Sequence, residues 1–182
     1  TPGPGGMRGA VAKAEELKIG DPLVAGTRFS ALSSRKHFEK VAGYVHQIEE
    51  LGGKIWTGGV ATDGSWLVKP TIADGLALDA APYCEEIFGP VCIVNKFSTE
   101  AEAVHMANDT RYGLNAMIFT ENLSRAHRVA SALKAGTVWV NCHNVIDAAL
   151  PFGGFKESGW GRENGIDAVK AYTETQTICI AL

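Results

Sequence analysis

Short apolar runs alternate with helical segments along most of the chain, and this alternation constrains the fold most strongly. The runs KIWTGG, WLVKPTI and VCIVNKF are bounded by Gly, Pro or Asp, which predicts strands at residues 54–59, 66–72 and 91–97. Two further runs, LNAMIFT and TVWVNC, follow among helical segments. Because these runs hardly alternate between polar and apolar residues, they are typical of strands covered on both faces. The pattern predicts an α/β fold with an open, mostly parallel sheet and helices on both faces.

The helices are predicted from the spacing of apolar residues and from capping residues. In residues 33–53 the apolar positions fall on one helical face, and two glycines end the helix. These apolar positions are Phe38, Val41, Ala42, Val45, Ile48 and Leu51. A second helix begins after Thr99, because Thr99 and Glu102 form a capping-box pattern. The segment LSRAHRVASALKAG predicts a third helix, with Gly136 as its C-terminal cap.

Composition and charge exclude several classes of protein. With 46% hydrophobic residues in 182, the chain can bury the core of a compact globular domain. A formal net charge of -3, without a cluster of Lys or Arg, argues against a nucleic-acid partner. No apolar run reaches about 18 residues, which argues against a membrane span. A charged-then-apolar leader is also missing, so no secretory signal is predicted.

Residues 1–6 differ in composition from the rest of the chain. The stretch TPGPGG is too rich in Gly and Pro to hold regular structure, so residues 1–6 are interpreted as a linker or a cloning remnant. The four cysteines lie in apolar surroundings without a CxxC pair, which favours reduced, buried thiols. A cytoplasmic location is therefore expected. Metal ligands at suitable spacing are lacking as well, so no metal site is predicted.

The glycine-rich stretch PFGGFKESGWGRENG follows directly after the last predicted strand, where open α/β sheets place their ligands. Together with YCEEIFGPV, GTVWVN, KIGDPL and KPTI, in this order, it resembles the C-terminal part of the aldehyde dehydrogenase superfamily. The resemblance extends from Val11 to Leu182. It implies that residues 7–171 belong to the catalytic domain and that residues 172–182 form an oligomerisation strand.

The resemblance implies an NAD(P)-dependent oxidation of an aldehyde to an acid through a cysteine thioester. Glu86 is expected to accept hydrogen bonds from the nicotinamide ribose of NAD or NADP, and Phe88 to pack against the same end of the cofactor. His37 stands where relatives often carry a glutamine that touches this ribose, so the contact is either kept, altered or lost. Without the motif, Glu86 would be interpreted as a solvated carboxylate and Phe88 as a core aromatic.

A substrate channel is expected to pass the glycine-rich stretch and the segment before it. The residues implied to line this channel are His143, Val145, Ile146 and Phe152. Glu163 matches a carboxylate on a proton-exit route, and Lys156 could hold a charge network beside it. Both could equally be ordinary surface charges. The apolar lining favours an aliphatic or aromatic aldehyde over a cationic one.

The nucleophilic cysteine and the water-activating glutamate of the family belong to upstream motifs that this sequence does not contain. Cys84 and Cys142 lie outside the matching motif, so neither is expected to be the nucleophile. The chain by itself is therefore expected to be inactive. Two hypotheses remain: a portion of a longer enzyme, or a catalytically silent stand-alone relative that acts in assembly or binding.

The last residues, AYTETQTICIAL, alternate between an apolar and a small or polar face. An edge strand of this kind can pair with another chain. By resemblance, such a strand joins the sheet of a neighbouring subunit. A homodimer or homotetramer assembled through Tyr172 to Leu182 is therefore expected, with folding back onto the same chain as the alternative.

Overall fold

A computed structural model describes residues 4–182, with side chains from residue 6 onward. They fall into two compact units, the first ending at Phe97 and the second beginning at Ser98. The expectation that residues 1–6 hold no regular structure is wrong for Pro4 to Gly6, because the first helix begins at Pro4. Proline suits the first turn of a helix, where its missing N–H has no partner to lose. Residues 1–3 lie outside the described part.

The first unit contains three helices and three strands. They are α1 (Pro4–Glu15), α2 (Arg35–Glu50), β1 (Lys54–Val60), β2 (Val68–Asp74), α3 (Ala81–Cys84) and β3 (Val91–Val94). The sheet order is β1-β2-β3, with β1 and β2 antiparallel and β2 and β3 parallel. The three strands predicted in this half are confirmed, with shifts of a few residues at their ends.

Helix α2 supplies four of the nine buried hydrophobic residues described in the first unit. Its N-cap is Ser34, whose hydroxyl accepts a hydrogen bond from the His37 N–H. Val41, Val45 and Ile48 are fully or almost fully buried in two apolar clusters with β2 residues. Leu51 departs from the prediction, because it is 55% exposed at the C-cap, where the chain leaves the helical path. The amphipathic pattern therefore predicts the buried face but not its last residue.

The second unit has the same helix-and-strand alternation. Its elements are α4 (Glu100–Asn108), β4 (Asn115–Ile118), α5 (Leu123–Ala132), β5 (Thr137–Val140), a 3-10 turn (Lys156–Ser158) and α6 (Gly165–Ala171). Strands β4 and β5 are parallel. The predicted start of α4 is confirmed, since the Thr99 hydroxyl accepts from the Glu102 N–H. The predicted cap at Gly136 is wrong, because α5 ends at Ala132 with Leu133 as its cap.

The α/β class is confirmed, and two of the three strand pairings are parallel. The strands form two small sheets, one in each unit, rather than a single open sheet. Residues 174–182 form no strand within the described chain. The oligomerisation strand stays a prediction.

The cysteines differ in exposure. Cys84 and Cys142 are half-buried, whereas Cys92 and Cys179 are exposed, so the expected burial is wrong for two of the four. Cys92 lies on β3, an edge strand of the first sheet, and Cys179 lies in the C-terminal segment that follows α6. Within the described residues, no helix combines the length and the apolar character needed to cross a membrane.

Candidate functional site

The predicted cofactor-binding residues Glu86 and Phe88 lie in the loop between α3 and β3. Phe88 has a φ of 57°, a left-handed backbone that a bulky residue rarely adopts and that costs about 1–3 kcal/mol. Its ring is 68% exposed. At Gly89, a Cβ would come within 2.5 Å of Val41 Cγ1, so the loop backbone packs directly on α2. The loop therefore holds an unusual conformation against one face of this helix.

Three polar side chains of α2 contact this loop. His37 Nε2 lies 2.6 Å from the carbonyl oxygen of Phe88, and Lys40 Nζ lies 3.4 Å from that of Glu86. The Tyr44 hydroxyl donates to the Glu85 carboxylate. Positions 37, 40 and 44 share a helical face, because they are three and four residues apart. The structure thus brings His37, Glu86 and Phe88 together.

Both ring nitrogens of His37 have partners within the protein. A carbonyl oxygen only accepts, so Nε2 carries the hydrogen in this contact. Nδ1 lies 3.2 Å from the Ser33 hydroxyl, which can donate to it. The predicted contact of His37 with the cofactor ribose therefore stays a prediction, and it competes with these two contacts.

The 85–89 loop borders an open groove of about 370 Å³. Its lining includes Tyr83, Glu85, Glu86, Phe88 and Ile93. The Glu86 carboxylate is exposed and has no hydrogen-bond partner among the described residues. An unpartnered carboxylate beside an exposed aromatic ring can accept hydroxyl hydrogen bonds and offer a stacking surface at one place.

In the second unit, the glycine-rich stretch folds back on itself. Phe152 and Glu163 exchange two backbone hydrogen bonds of 2.7 Å, as an isolated antiparallel bridge. Directly opposed residues of such a pair place their side chains on the same face. The structure therefore brings the predicted channel residue Phe152 next to the predicted proton-relay residue Glu163. The Glu163 carboxylate is exposed and has no partner in residues 4–182.

Lys156 and Arg162 have structural partners in this stretch. Lys156 Nζ donates to the carbonyl oxygens of Asn108 and Thr110, each at 2.8 Å. The expectation that Lys156 forms a charge network beside Glu163 is therefore wrong. Arg162 donates to the Gly154 carbonyl at 2.9 Å, and its guanidinium lies 5.4 Å from the centre of the Phe155 ring. Lys156 therefore ties the stretch to the backbone at residues 108–110, and Arg162 bonds to the backbone of the stretch itself.

The segment predicted to border the channel mouth packs against the end of β5. The Trp139 Nε1 donates to the Val145 carbonyl at 2.9 Å, and the Trp139 ring meets the His143 ring edge-on at 5.3 Å. Val145 and Ile146 expose 65% and 56% of their surface. One tryptophan thus orients the backbone of this segment and leaves its apolar side chains open to a ligand.

Two contributing residues were missed from the sequence. Lys40 and Tyr44 could have been found, because they share the helical face of His37. Asn141 was expected only as the first residue of the segment at the channel mouth, and the structure shows a further contact. Its amide both donates to and accepts from the Thr120 backbone, at 2.8 Å each, and so ties together the ends of β4 and β5.

Comparisons with known proteins agree with this architecture. The model of the aldehyde dehydrogenase family matches residues 7–178. The 2-hydroxymuconic semialdehyde dehydrogenase of Pseudomonas putida is 46% identical over 178 residues, which cover 94% of this chain and 36% of that protein. The human 4-trimethylaminobutyraldehyde dehydrogenase is 41% identical, with the same two coverages.

Solved structures give the same result. An NAD+ complex of an aldehyde dehydrogenase from Bacillus cereus superimposes with a TM-score of 0.90 at 40% identity, over 94% of this chain and 35% of that one. Betaine aldehyde dehydrogenase from Staphylococcus aureus in complex with NAD+ gives 0.89 at 32% identity, over 94% and 35%. The chain therefore spans little more than a third of the length of these relatives. Since the family model matches nearly all of its residues, the chain belongs to the aldehyde dehydrogenase family.

Proposed function

We propose that this chain is the C-terminal part of the catalytic domain of an NAD(P)-dependent aldehyde dehydrogenase. The whole enzyme would oxidise an aldehyde to a carboxylic acid through a cysteine thioester. The observation that carries this proposal is the family match over residues 7–178. Relatives in complex with NAD+ support the choice of cofactor.

Glu86 and Phe88 are proposed to bind the nicotinamide end of NAD or NADP, which supplies the hydride acceptor. The unpartnered Glu86 carboxylate would accept the ribose hydroxyls, since a charged acceptor makes the stronger hydrogen bond. The exposed Phe88 ring would pack beside it and limit the directions in which the nicotinamide can turn. Both side chains fit this role, because they share one groove and neither is covered by the protein.

Phe152, His143, Val145 and Ile146 are proposed to line the aldehyde channel. The exposed apolar side chains favour an aliphatic or aromatic aldehyde, because the segment 141–150 contains no tryptophan and its one carboxylate, Asp147, accepts a hydrogen bond from the Ala149 N–H. Relatives of similar identity are named for different aldehydes, so identity alone does not select one. Comparing kcat/KM for phenylacetaldehyde, hexanal and 4-trimethylaminobutyraldehyde tests this, and a preference for the last would contradict it.

Glu163 is proposed to relay a proton from the channel, because its free carboxylate lies on the same face as Phe152. Glu163→Gln should then lower kcat most at low pH, where hydroxide and the basic form of the buffer, which could accept the proton without the relay, are scarcest, while the KM for the cofactor stays unchanged. An unaltered pH profile of kcat would leave Glu163 as a surface charge.

The cofactor role is tested with Glu86→Gln in the full-length protein, followed through NAD(P)H formation in single-turnover kinetics. Loss of a charged hydrogen-bond acceptor should slow hydride transfer by about tenfold. Glu49→Gln, an exposed carboxylate on α2, is the matched control and should keep the original rate. An unchanged rate in Glu86→Gln would refute this role.

The chain alone is proposed to be inactive, since the family's nucleophile and general base belong to motifs it does not contain. Purified chain should form no NAD(P)H with any aldehyde of the panel. If the intact gene product is equally inactive, the alternative of a silent assembly or binding relative is favoured.

A cytoplasmic location is also proposed, because the four cysteines are free thiols.

Self-association is proposed through residues 172–182. Ile178 and Ile180 are about three-quarters exposed, so another chain could bury them. Deleting Thr175 to Leu182 should lower the mass of the full-length protein measured by light scattering. Ile178→Lys should lower the mass as well, whereas Thr177→Lys, on the opposite face of the predicted strand, is its control and should leave the mass unchanged. An unchanged mass after the deletion would refute the assembly role.

A further inference from the structure

We propose that His37 is a positioning residue: it holds Phe88 and Glu86 in their binding arrangement through the Phe88 carbonyl and does not itself bind the cofactor. This inference rests on the proposed function of Glu86 and Phe88. It replaces a direct contact with the ribose by an indirect one, because both ring nitrogens of His37 are already used by Ser33 and Phe88.

The backbone at Phe88 needs such a support. Its left-handed φ of 57° is unfavourable for a bulky residue, so it persists only where the surroundings hold it. Packing of the ring does not provide this support, since most of the ring is exposed. The 2.6 Å hydrogen bond from His37 fixes the carbonyl that follows the strained φ, and so fixes the direction in which the ring leaves the backbone.

His37 is one of several α2 residues that contact the backbone of the 85–89 loop. Lys40 reaches the Glu86 carbonyl, and the Gly89 backbone packs on Val41. Phe88 lies between these two contacts, and His37 is the side chain of α2 that bonds to it. Removing His37 should therefore free Phe88 first and alter Glu86 only through it.

The experiment uses the full-length enzyme with saturating aldehyde and NAD or NADP as the varied substrate. His37→Phe keeps a ring of similar size and removes both nitrogens, whereas His37→Gln can still donate to the Phe88 carbonyl. His46→Phe is the matched control, because His46 is exposed on the same helix and makes no hydrogen bond among the described residues.

Loss of one hydrogen bond to the strained loop should raise the KM for the cofactor by about tenfold in His37→Phe. His37→Gln should recover most of this change, and His46→Phe should match the original enzyme. A role limited to folding would instead lower the melting temperature and leave the KM of the folded fraction unaltered, which overturns the inference.

A double-mutant cycle with Phe88→Ala separates the indirect contact from a direct one. If His37 acts through Phe88, adding His37→Phe to Phe88→Ala should change the cofactor KM by less than about twofold. Multiplying effects would mean that His37 does not act through the Phe88 ring, and they would overturn the inference. Should His37→Phe fold poorly, His37→Leu takes its place in the cycle.

The remaining outcomes distinguish this inference from the proposed function. If Phe88→Ala and Glu86→Gln both leave the cofactor kinetics unchanged, the proposed cofactor site is wrong and the inference is overturned with it. If those two variants are impaired while His37→Phe is not, the cofactor site stands and only the positioning role of His37 is overturned.

Discussion

The loop at residues 85–89 and the glycine-rich stretch at 151–164 are held in different ways. The first is held mainly by side chains of α2, which bond to its carbonyls and to Glu85. The second has close contacts between backbones, such as the pair between Phe152 and Glu163, in addition to the side-chain hydrogen bonds of Lys156 and Arg162. A side chain can move or be shortened at a lower cost than two backbones in contact can separate. Substitutions at the first loop should therefore lower the free energy of unfolding moderately, and substitutions at the backbone contacts of the second should lower it more.

Gly136→Ala should have the largest effect on stability. A Cβ at Gly136 would lie 1.6 Å from the Gly153 carbonyl oxygen, and neither backbone can yield. The free energy of unfolding, measured in urea, should fall by about 3 kcal/mol or more. Gly161→Ala is the control, because Gly161 lies in the same stretch as Gly153 but has open space around an added Cβ. It should change the free energy of unfolding by less than about 1 kcal/mol. Equal effects of the two variants would remove the contrast between the loops.

Gly89→Ala should have an intermediate effect. Its Cβ would meet the Val41 side chain at 2.5 Å, and that side chain can be shortened. We expect a loss of about 1–3 kcal/mol in the free energy of unfolding. Combining it with Val41→Ala should cost less than the sum of the two single changes, because the clash is removed. Strict additivity would mean that the backbone, not Val41, limits the site.

Gly43→Ala should have a smaller effect of opposite sign. Gly43 lies inside α2 with no heavy atom within 4 Å of an added Cβ. Alanine should raise the melting temperature and stabilise the helix by about 0.5–1 kcal/mol. Cofactor kinetics should be unchanged, because the added methyl group would have open space and would displace no side chain that holds the 85–89 loop. A lower melting temperature would show that α2 needs this glycine for packing.

The smallest effect on stability is expected from substituting Glu100, whose carboxylate pairs with Arg125 and Arg128 in the second unit. Hydrogen bonds from Arg128 lower the pKa of Glu100 below its ordinary value of 4.5, and they outweigh the opposing effect of desolvation. A lowered pKa stabilises the folded state above pH 4.5, and this contribution is lost as the pH falls through the folded-state value. The melting temperatures of Glu100→Gln and the original protein should therefore differ slightly at neutral pH and converge in acid. A constant difference would contradict this.

Contacts between residues close together in the sequence could be predicted, whereas contacts between distant residues could not. Glu86 and Phe88 could be placed near one another because they belong to one contiguous motif, and Phe152 and Glu163 because they belong to another, while the roles of all four stay predictions. The support from His37 to Phe88 could not, since 51 positions separate the two. A sequence pattern carries no information on which carbonyl lies opposite a helix face.

Local sequence patterns were enough to predict α2, α4, α5, the five strands and the buried face of α2, because these depend on hydrogen bonds and apolar spacing within a few residues. Three other features came from tertiary packing: the strands form two sheets, Gly136 lies at a backbone contact instead of a helix cap, and Lys156 donates to two carbonyl oxygens. Each of these depends on segments distant in the chain packing at fixed distances. Local preferences cannot specify such distances, whereas the close packing of the folded chain does.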